Sequence, residues 1–263
     1  ARSSRVEISV EVQGHVLLIG VRRPHKMNAL TRAMFRDMAA ALHRLEHDPE
    51  LRVGVIWAEG PHFTAGVELT DWAEAFAAGT PFPLQAGEID PFAMSGPRLS
   101  KPLVVAIQGR CYTWGWELLL NTDLRVAAND TRLAMLEVRR GFYACGGATL
   151  RLPAQIGWAN AQRYLLTGDE MSASEAHRLG LVQEVCEPGT QLDHALALAQ
   201  RVAAAAPLGV QGSLRSSRTA LLEGEHAAID QCFRDLKPVM QSEDAAEGLR
   251  SFIERRAAVF KGR

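Results

Sequence analysis

Glu117 stands in the stretch CYTWGWELLL (111–120), among two tryptophans and three leucines. An ionised carboxylate is costly to bury without a partner, so it must reach water, be paired, or be used. Glu137 poses the same problem inside LAMLEV (133–138). Two such carboxylates in apolar runs have the make-up of a general acid/base pair, because dry surroundings and mutual repulsion raise at least one pKa towards neutrality. The residues alone also allow plainer readings. Glu117 could be an exposed first-turn helix residue favoured by the dipole. Glu137 could face water at a strand edge or pair with Arg139 or Arg140.

Two turns supply a complementary feature. FTAGVEL (63–69) and YTWGWEL (112–118) each place a glycine in a bend after a strand. Convergent backbone N–H groups there would form an oxyanion hole for a carbonyl gaining negative charge. The alternative for each is an ordinary strand-to-helix turn that needs glycine for its backbone. HRLEH (43–47) matches a zinc-peptidase pattern, H-x-x-E-H. The helix carrying it has its apolar stripe at Met34, Met38, Ala41, Leu42 and Leu45. At about 100° per residue, His43 and His47 fall on the opposite, solvated face, which lacks the walls and third ligand of a catalytic zinc. They are expected to complement the helix C-terminus instead.

The elements that must position these groups alternate between strand and helix. VEISVEV and HVLLIGV flank Gln13-Gly14 as a hairpin. Thr31 caps a helix running to about His47, which Asp48-Pro49 stops. RVGVIWAEG (52–60), PLVVAIQG (102–109) and DLRVAA (123–128) read as strands, LAMLEV as a further short apolar run, and LVQEVCE (181–187) as a strand. Residues 77–100 hold Gly79, Pro81, Pro83, Gly87, Pro91, Gly96 and Pro97, too dense for regular structure, so a long loop or lid is expected. Helices are expected over 154–166, 172–179, 191–206, 207–222 and 242–260. The pattern is an α/β core followed by a helical C-terminal region.

The chain has 263 residues, 47% hydrophobic and 22% charged, with a net charge of −1. That balance suits a soluble globular protein and offers no overall field for nucleic acid or an anionic membrane. No run of 18 apolar residues occurs, and ARSSRVEISV lacks the apolar segment of a signal peptide. Cys111, Cys145, Cys186 and Cys232 are scattered and form no C-x-x-C pair. A cytoplasmic protein with reduced thiols and no structural zinc is expected. Dinucleotide, P-loop, serine-hydrolase and H-E-x-x-H zinc signatures are missing.

RPHKMNAL (23–30), FTAGVEL, the two glutamate segments with GGATLRL (146–152), LLTGDEMSASEAHRLGLV (165–182) and EGLRSFIERRAAVFK (247–261) follow in order. Together they resemble the enoyl-CoA hydratase (crotonase) superfamily over essentially the whole chain. The resemblance implies a crotonase (ClpP-like) ββα spiral core over 1–200, holding the CoA and acyl site, and a helical trimerisation region over 201–263. It implies a hydratase acting on a 2-enoyl-CoA, with no cofactor beyond the CoA of the substrate and no metal. Backbone N–H groups of Val67 and Trp114 would hold the thioester oxygen. Glu117 would activate the water attacking C3, and Glu137, 20 positions on as in hydratases, would protonate C2. Arg23, His25, Lys26, Ala65, Phe260 and Lys261 would contact CoA, in a homotrimer or a dimer of trimers. The alternatives within the superfamily are isomerisation, thioester hydrolysis and C–C cleavage, or an RNA-binding role. This chain departs from the common pattern in having Thr113-Trp114-Gly115-Trp116 for a glycine-rich run, Val67 for alanine, Glu68 for aspartate and His25 for lysine.

Overall fold

The chain passes twice from a strand of a large sheet directly into a strand of a small one, and that repeated step builds the site's frame. The computed structural model describes residues 6–80, 82 and 84–263. Residues 1–5 of the N-terminal segment, and Pro81 and Pro83 of the long loop, lie outside the described residues. The strands are β1 (Ile8–Gln13), β2 (Val16–Val21), β3 (Val53–Ala58), β4 (Leu103–Ile107), β5 (Arg110–Tyr112), β6 (Leu124–Ala128), β7 (Arg132–Ala134), β8 (Met171–Ser172) and β9 (Glu184–Cys186). The helices are α1 (Arg32–His47), α2 (Leu69–Ala77), α3 (Trp114–Leu120), α4 (Ala148–Ile156), α5 (Trp158–Thr167) and α6 (Ala173–Arg178). They continue with α7 (Gln191–Ala204), α8 (Pro207–Glu223), α9 (Glu225–Met240) and α10 (Glu243–Glu254).

The large sheet has the order β1-β2-β3-β4-β6-β9, parallel except for the β1–β2 hairpin. Its inner strands β2, β3 and β4 are apolar on both sides because both sides are covered. In β2, Leu17, Ile19 and Val21 join the main core, while Val16 and Leu18 pack towards α7 with Ala195, Ala199 and Ala203. A small sheet, β5-β7-β8, lies beyond the carboxyl ends of the central strands. The chain passes from β4 to β5 through Gly109, whose φ is +51°. A Cβ there would lie 2.1 Å from the Pro61 carbonyl oxygen, so only glycine fits the crossing.

Several sequence expectations shift for local reasons. Thr31 caps α1 by accepting from the Met34 N–H at 3.1 Å. The carbonyls at the far end of α1 are taken by the Lys101 ammonium, 2.7 Å from Leu45 O and 2.8 Å from Asp48 O, more than by histidine. Of the two histidines, only His47 bonds a backbone carbonyl, that of His43. The strand expected in LAMLEV ends at Ala134, and Glu137 opens a short 3-10 turn to Arg140. The single helix expected over 154–166 is two, α4 and α5, broken at Gly157 with φ of +89°. The last helix stops at Glu254 because Arg255 takes a left-handed φ of +53°. The tail then doubles back, and the Asp244 carboxylate accepts N–H groups of Lys261 and Gly262, each at 2.7 Å.

Candidate active site

Register in the small sheet brings the distant segments into one row. Thr64 bridges Cys111 in parallel, and Cys111 pairs with Leu133. Adjacent strands are about 4.8 Å apart. Three residues beyond these partners come Val67, Trp114 and Leu136, with Glu137 next. The fold therefore delivers the two glycine turns and the second glutamate to neighbouring positions at the same edge.

Glu117 lies in the first turn of α3 and is buried, only 4% exposed. Its carboxylate reaches the N-terminus of α4, where Oε2 accepts the Ala148 N–H at 3.1 Å. Gly146 makes this approach possible, since a Cβ there would sit 2.9 Å from the carboxyl carbon. Burial, then repulsion from Glu137, pushes the Glu117 carboxyl up to about 8, against the opposing pull of the Ala148 and Gly146 N–H groups and of Arg151. Glu137 is also buried, and its carboxyl is raised by burial. Its Oε2 has no hydrogen-bond partner among the described residues. Two such carboxyls line one cleft, and the charge of Glu137 bears on the titration of Glu117.

The oxyanion candidates line the same cleft. Leu30 and Val67 form a parallel bridge in which Leu30 N–H bonds Gly66 O and Glu68 N–H bonds Leu30 O. That pattern leaves the Val67 N–H pointing away from the bridge. The Trp114 N–H is the first of α3, with no acceptor inside the helix. Neither N–H meets an acceptor among the described residues. The Trp114 side chain turns away from the opening: it is 3% exposed, tilted against Phe63 at 5.8 Å between ring centroids, and its Nε1 donates to Gly66 O at 2.8 Å.

The cleft encloses about 780 Å³ out to its mouth. Its wall is aromatic, from Phe76, Phe82, Phe92 and Phe142, and a second cleft of about 1500 Å³ continues past Trp72 and Tyr143. Phe82 and Phe92 stack on Phe35 of α1, and Trp72 donates its indole N–H to Leu30 O. The long loop is fastened to this wall. Asp90 accepts the N–H groups of Phe92, Met94 and Ser95, and Arg151 of α4 holds the carbonyls of Phe92 and Ala93.

The residues expected at CoA fall in two places. His25 and Lys26 are exposed on a 3-10 turn after β2, and Ala65 N–H bonds Met27 O. Buried Asn28 ties this loop to the carbonyls of Glu59 and His62. Arg23 is committed to Glu7 and Glu68, so its guanidinium braces the loop and the 63–69 turn together. Phe260 and Lys261 are elsewhere. Phe260 O accepts from Arg52, which precedes β3, at 2.7 Å. Since β2 and β3 run parallel for six residues, the tail lies about 20 Å along the sheet from the loop of the same chain. One chain does not bring the two together.

A family model described as enoyl-CoA hydratase/isomerase matches residues 11–263. The chain belongs to the enoyl-CoA hydratase/isomerase family. It is 36% identical to enoyl-CoA hydratase EchA19 of Mycobacterium tuberculosis, covering 97% of this chain and 96% of that protein. It is 32% identical to 2,3-dehydroadipyl-CoA hydratase of Escherichia coli, over 98% and 99% of the two chains. Among solved structures, a probable enoyl-CoA hydratase/isomerase from Mycobacterium abscessus superposes with a TM-score of 0.93 at 44% identity, over 98% and 99%. The family fold is thus the ββα spiral with its crossing at Gly109. In this member, sequence reading missed α2 and the part played by Arg151, while Arg140, weighed only as a partner of Glu137, lines the cleft. The spacing of Leu69, Trp72 and Phe76 was the available signal for α2; Arg151, inside GGATLRL, had none. His43 and His47 stack on each other at 4.1 Å, half-buried and exposed respectively, and neither lines the cleft. No group of three or more His, Cys, Asp or Glu able to hold a metal occurs among the described residues.

Proposed function

We propose that this family member is a hydro-lyase that adds water across the 2,3 double bond of a 2-enoyl-CoA thioester to give a 3-hydroxyacyl-CoA. The observation that carries the reading is the pair of buried, raised carboxyls in one apolar cleft with two unused backbone N–H groups. The thioester oxygen accepts from Val67 and Trp114, which favours the enolate that forms as water attacks C3. Glu117 in its ionised form takes a proton from that water and Glu137 in its acid form delivers one to C2, so the reactive state is the one in which the pair's proton sits on Glu137. Two carboxyls suit water addition better than a double-bond shift, which one carboxyl can run. The aromatic wall takes the acyl chain, and the exposed His25–Lys26 turn takes the CoA phosphates. No metal or redox group has a task in this scheme. The protein assembles as a trimer or a dimer of trimers.

The deciding experiment offers enoyl-CoA esters of graded chain length and follows loss of the conjugated enoyl absorbance, with products identified by mass. Hydrated product from at least one ester, undiminished after treatment with EDTA, is expected. Isomerised or hydrolysed product from every ester would assign a sister reaction of the family instead.

A further inference from the structure

Trp114 does two things that a glycine at this position cannot combine. Its backbone supplies one of the two N–H groups, and its indole bonds the peptide that carries the other. Gly66 C=O and Val67 N–H belong to one peptide plane. The Gly66 oxygen accepts the Trp114 indole N–H at 2.8 Å and the Leu30 N–H at 3.0 Å. The Thr64 hydroxyl is also near, at 3.1 Å, but its one proton has a shorter acceptor in Asn28 O at 2.8 Å. Both lone pairs of Gly66 O are therefore used by fixed N–H donors. A hydrogen bond to an amide oxygen polarises the whole amide, so its N–H becomes a better donor.

The neighbouring backbone shows why such a tie is required. Thr113, a β-branched residue, holds φ +53° and ψ −113°. Its Oγ1 is buried with no partner among the described residues. Strain of this kind costs about 1–3 kcal/mol and persists only where surrounding contacts over-determine the geometry. The Thr113 N–H is held by Ala134 O at 2.8 Å, and the next residue is held by the indole bond to Gly66. The Thr64–Cys111 bridge joins the same segments just upstream, with Tyr112 N–H donating to Thr64 O at 3.1 Å, and the indole bond carries the tie on to the Gly66–Val67 peptide, where a Cβ on Gly66 would sit 3.3 Å from Thr113 Oγ1.

We infer that the Trp114 indole is a positioning residue for the oxyanion site, tying the Gly66–Val67 peptide to α3 so that both N–H groups converge, and strengthening the Val67 donor through the Gly66 carbonyl. The inference rests on the oxyanion role proposed above.

The test is Trp114→Phe, which keeps the aromatic packing and removes only the indole donor. The carbonyl stretch of a bound, unreactive saturated acyl-CoA, labelled at the thioester carbon, reports polarisation directly. In the unaltered protein it falls below that of the free ester. In W114F it moves back towards the free value, kcat for an enoyl-CoA falls about tenfold, a fraction of the 10²–10³ that loss of a whole donor costs, and KM stays within about twofold. A lowered stretch that W114F leaves unchanged, with unchanged kcat, overturns the indole's role alone. A stretch equal to the free ester in the unaltered protein overturns the oxyanion reading and the indole's role with it. Should W114F not fold, the unaltered protein still decides. The Trp114 indole N–H resonance, assigned by single Trp→Phe variants at the other four tryptophans, moves downfield on acyl-CoA binding if the two donors are coupled. A signal that stays in place on saturation overturns the inference.

Discussion

Glu117 is held in a conflict that the protein resolves by titration. Burial and Glu137 oppose its charge, while Ala148 and Gly146 N–H groups and Arg151 favour it, and the balance leaves the carboxyl at about 8. An unfolded glutamate ionises near 4.5, so the folded state holds a proton that the unfolded state releases between these values. Stability from this group is therefore full at low pH and is lost as pH rises towards and through 8. Glu117→Gln removes the titration. The melting temperature of E117Q relative to the parent should rise between pH 5 and pH 8, by about 2–4 °C per kcal/mol in a domain this size. A constant difference across that range would show that the carboxyl is not raised. Glu137→Gln addresses chemistry instead: kcat should fall at least about 10²-fold with KM nearly kept, as loss of a proton donor requires. Steady-state turnover close to the parent would remove Glu137 from the mechanism. Both glutamates were legible in the sequence because charge in an apolar run is conspicuous. The indole bond of Trp114 was not, since its acceptor is a backbone oxygen 48 positions away and carries no residue type.

At the scale of elements, the site depends on α4 facing two ways. Its N-terminus receives Glu117, and within the same first turn Arg151 grips the carbonyls of Phe92 and Ala93. The 77–100 segment was read from its Gly and Pro density as a loop, and it is one, yet it is fastened by Asp90, Arg151 and stacked phenylalanines. Those fastenings join residues far apart in the chain, which local patterning does not reveal. Arg151→Met keeps the helix and the side-chain bulk but frees the two carbonyls. Protease cleavage within 77–100 should accelerate, and KM for the preferred ester should rise about tenfold for each 1.4 kcal/mol of lost ordering. Limited proteolysis unchanged from the parent would place the loop's order in the aromatic stack alone. Strand and helix alternation was legible from apolar runs and turn residues. The helix α9 was not read, although Ile229, Phe233, Leu236 and Met240 recur at helical spacing. α9 lies along α8, yet none of its residues is buried, and Ile229, Phe233 and Met240 stay exposed.

That exposed face continues across the neighbouring helices. Phe233 is 80% exposed and Phe252 81%, and with Leu221, Leu222, Met240, Leu249 and Ile253 they spread over α8, α9 and α10. Exposed aromatic and aliphatic residues on successive helices are the kind of surface that the assembly proposed above would cover. The position of the tail bears on the proposed assembly as well. Phe260 and Lys261 are anchored beside Arg52 at the amino end of β3, whereas the His25–Lys26 turn follows the carboxyl end of β2. If these residues serve one CoA molecule, as the family resemblance implies, the tail must come from a neighbouring copy. Subunit complementation tests this without a structure of the complex. One variant carries Glu137→Gln with its tail intact, and the other keeps both glutamates but carries Phe260→Ala and Lys261→Ala. Each assembly alone should be weak, the first in kcat and the second in KM. Mixed assemblies, formed by dissociation and reassociation, contain sites with intact glutamates next to an intact neighbouring tail. Activity should then exceed the mean of the two parents, and light scattering should give the same mass for all three samples. Mixed assemblies that never exceed that mean would leave each tail serving its own chain, and the tail of one protomer would have to leave Arg52 to reach its own CoA.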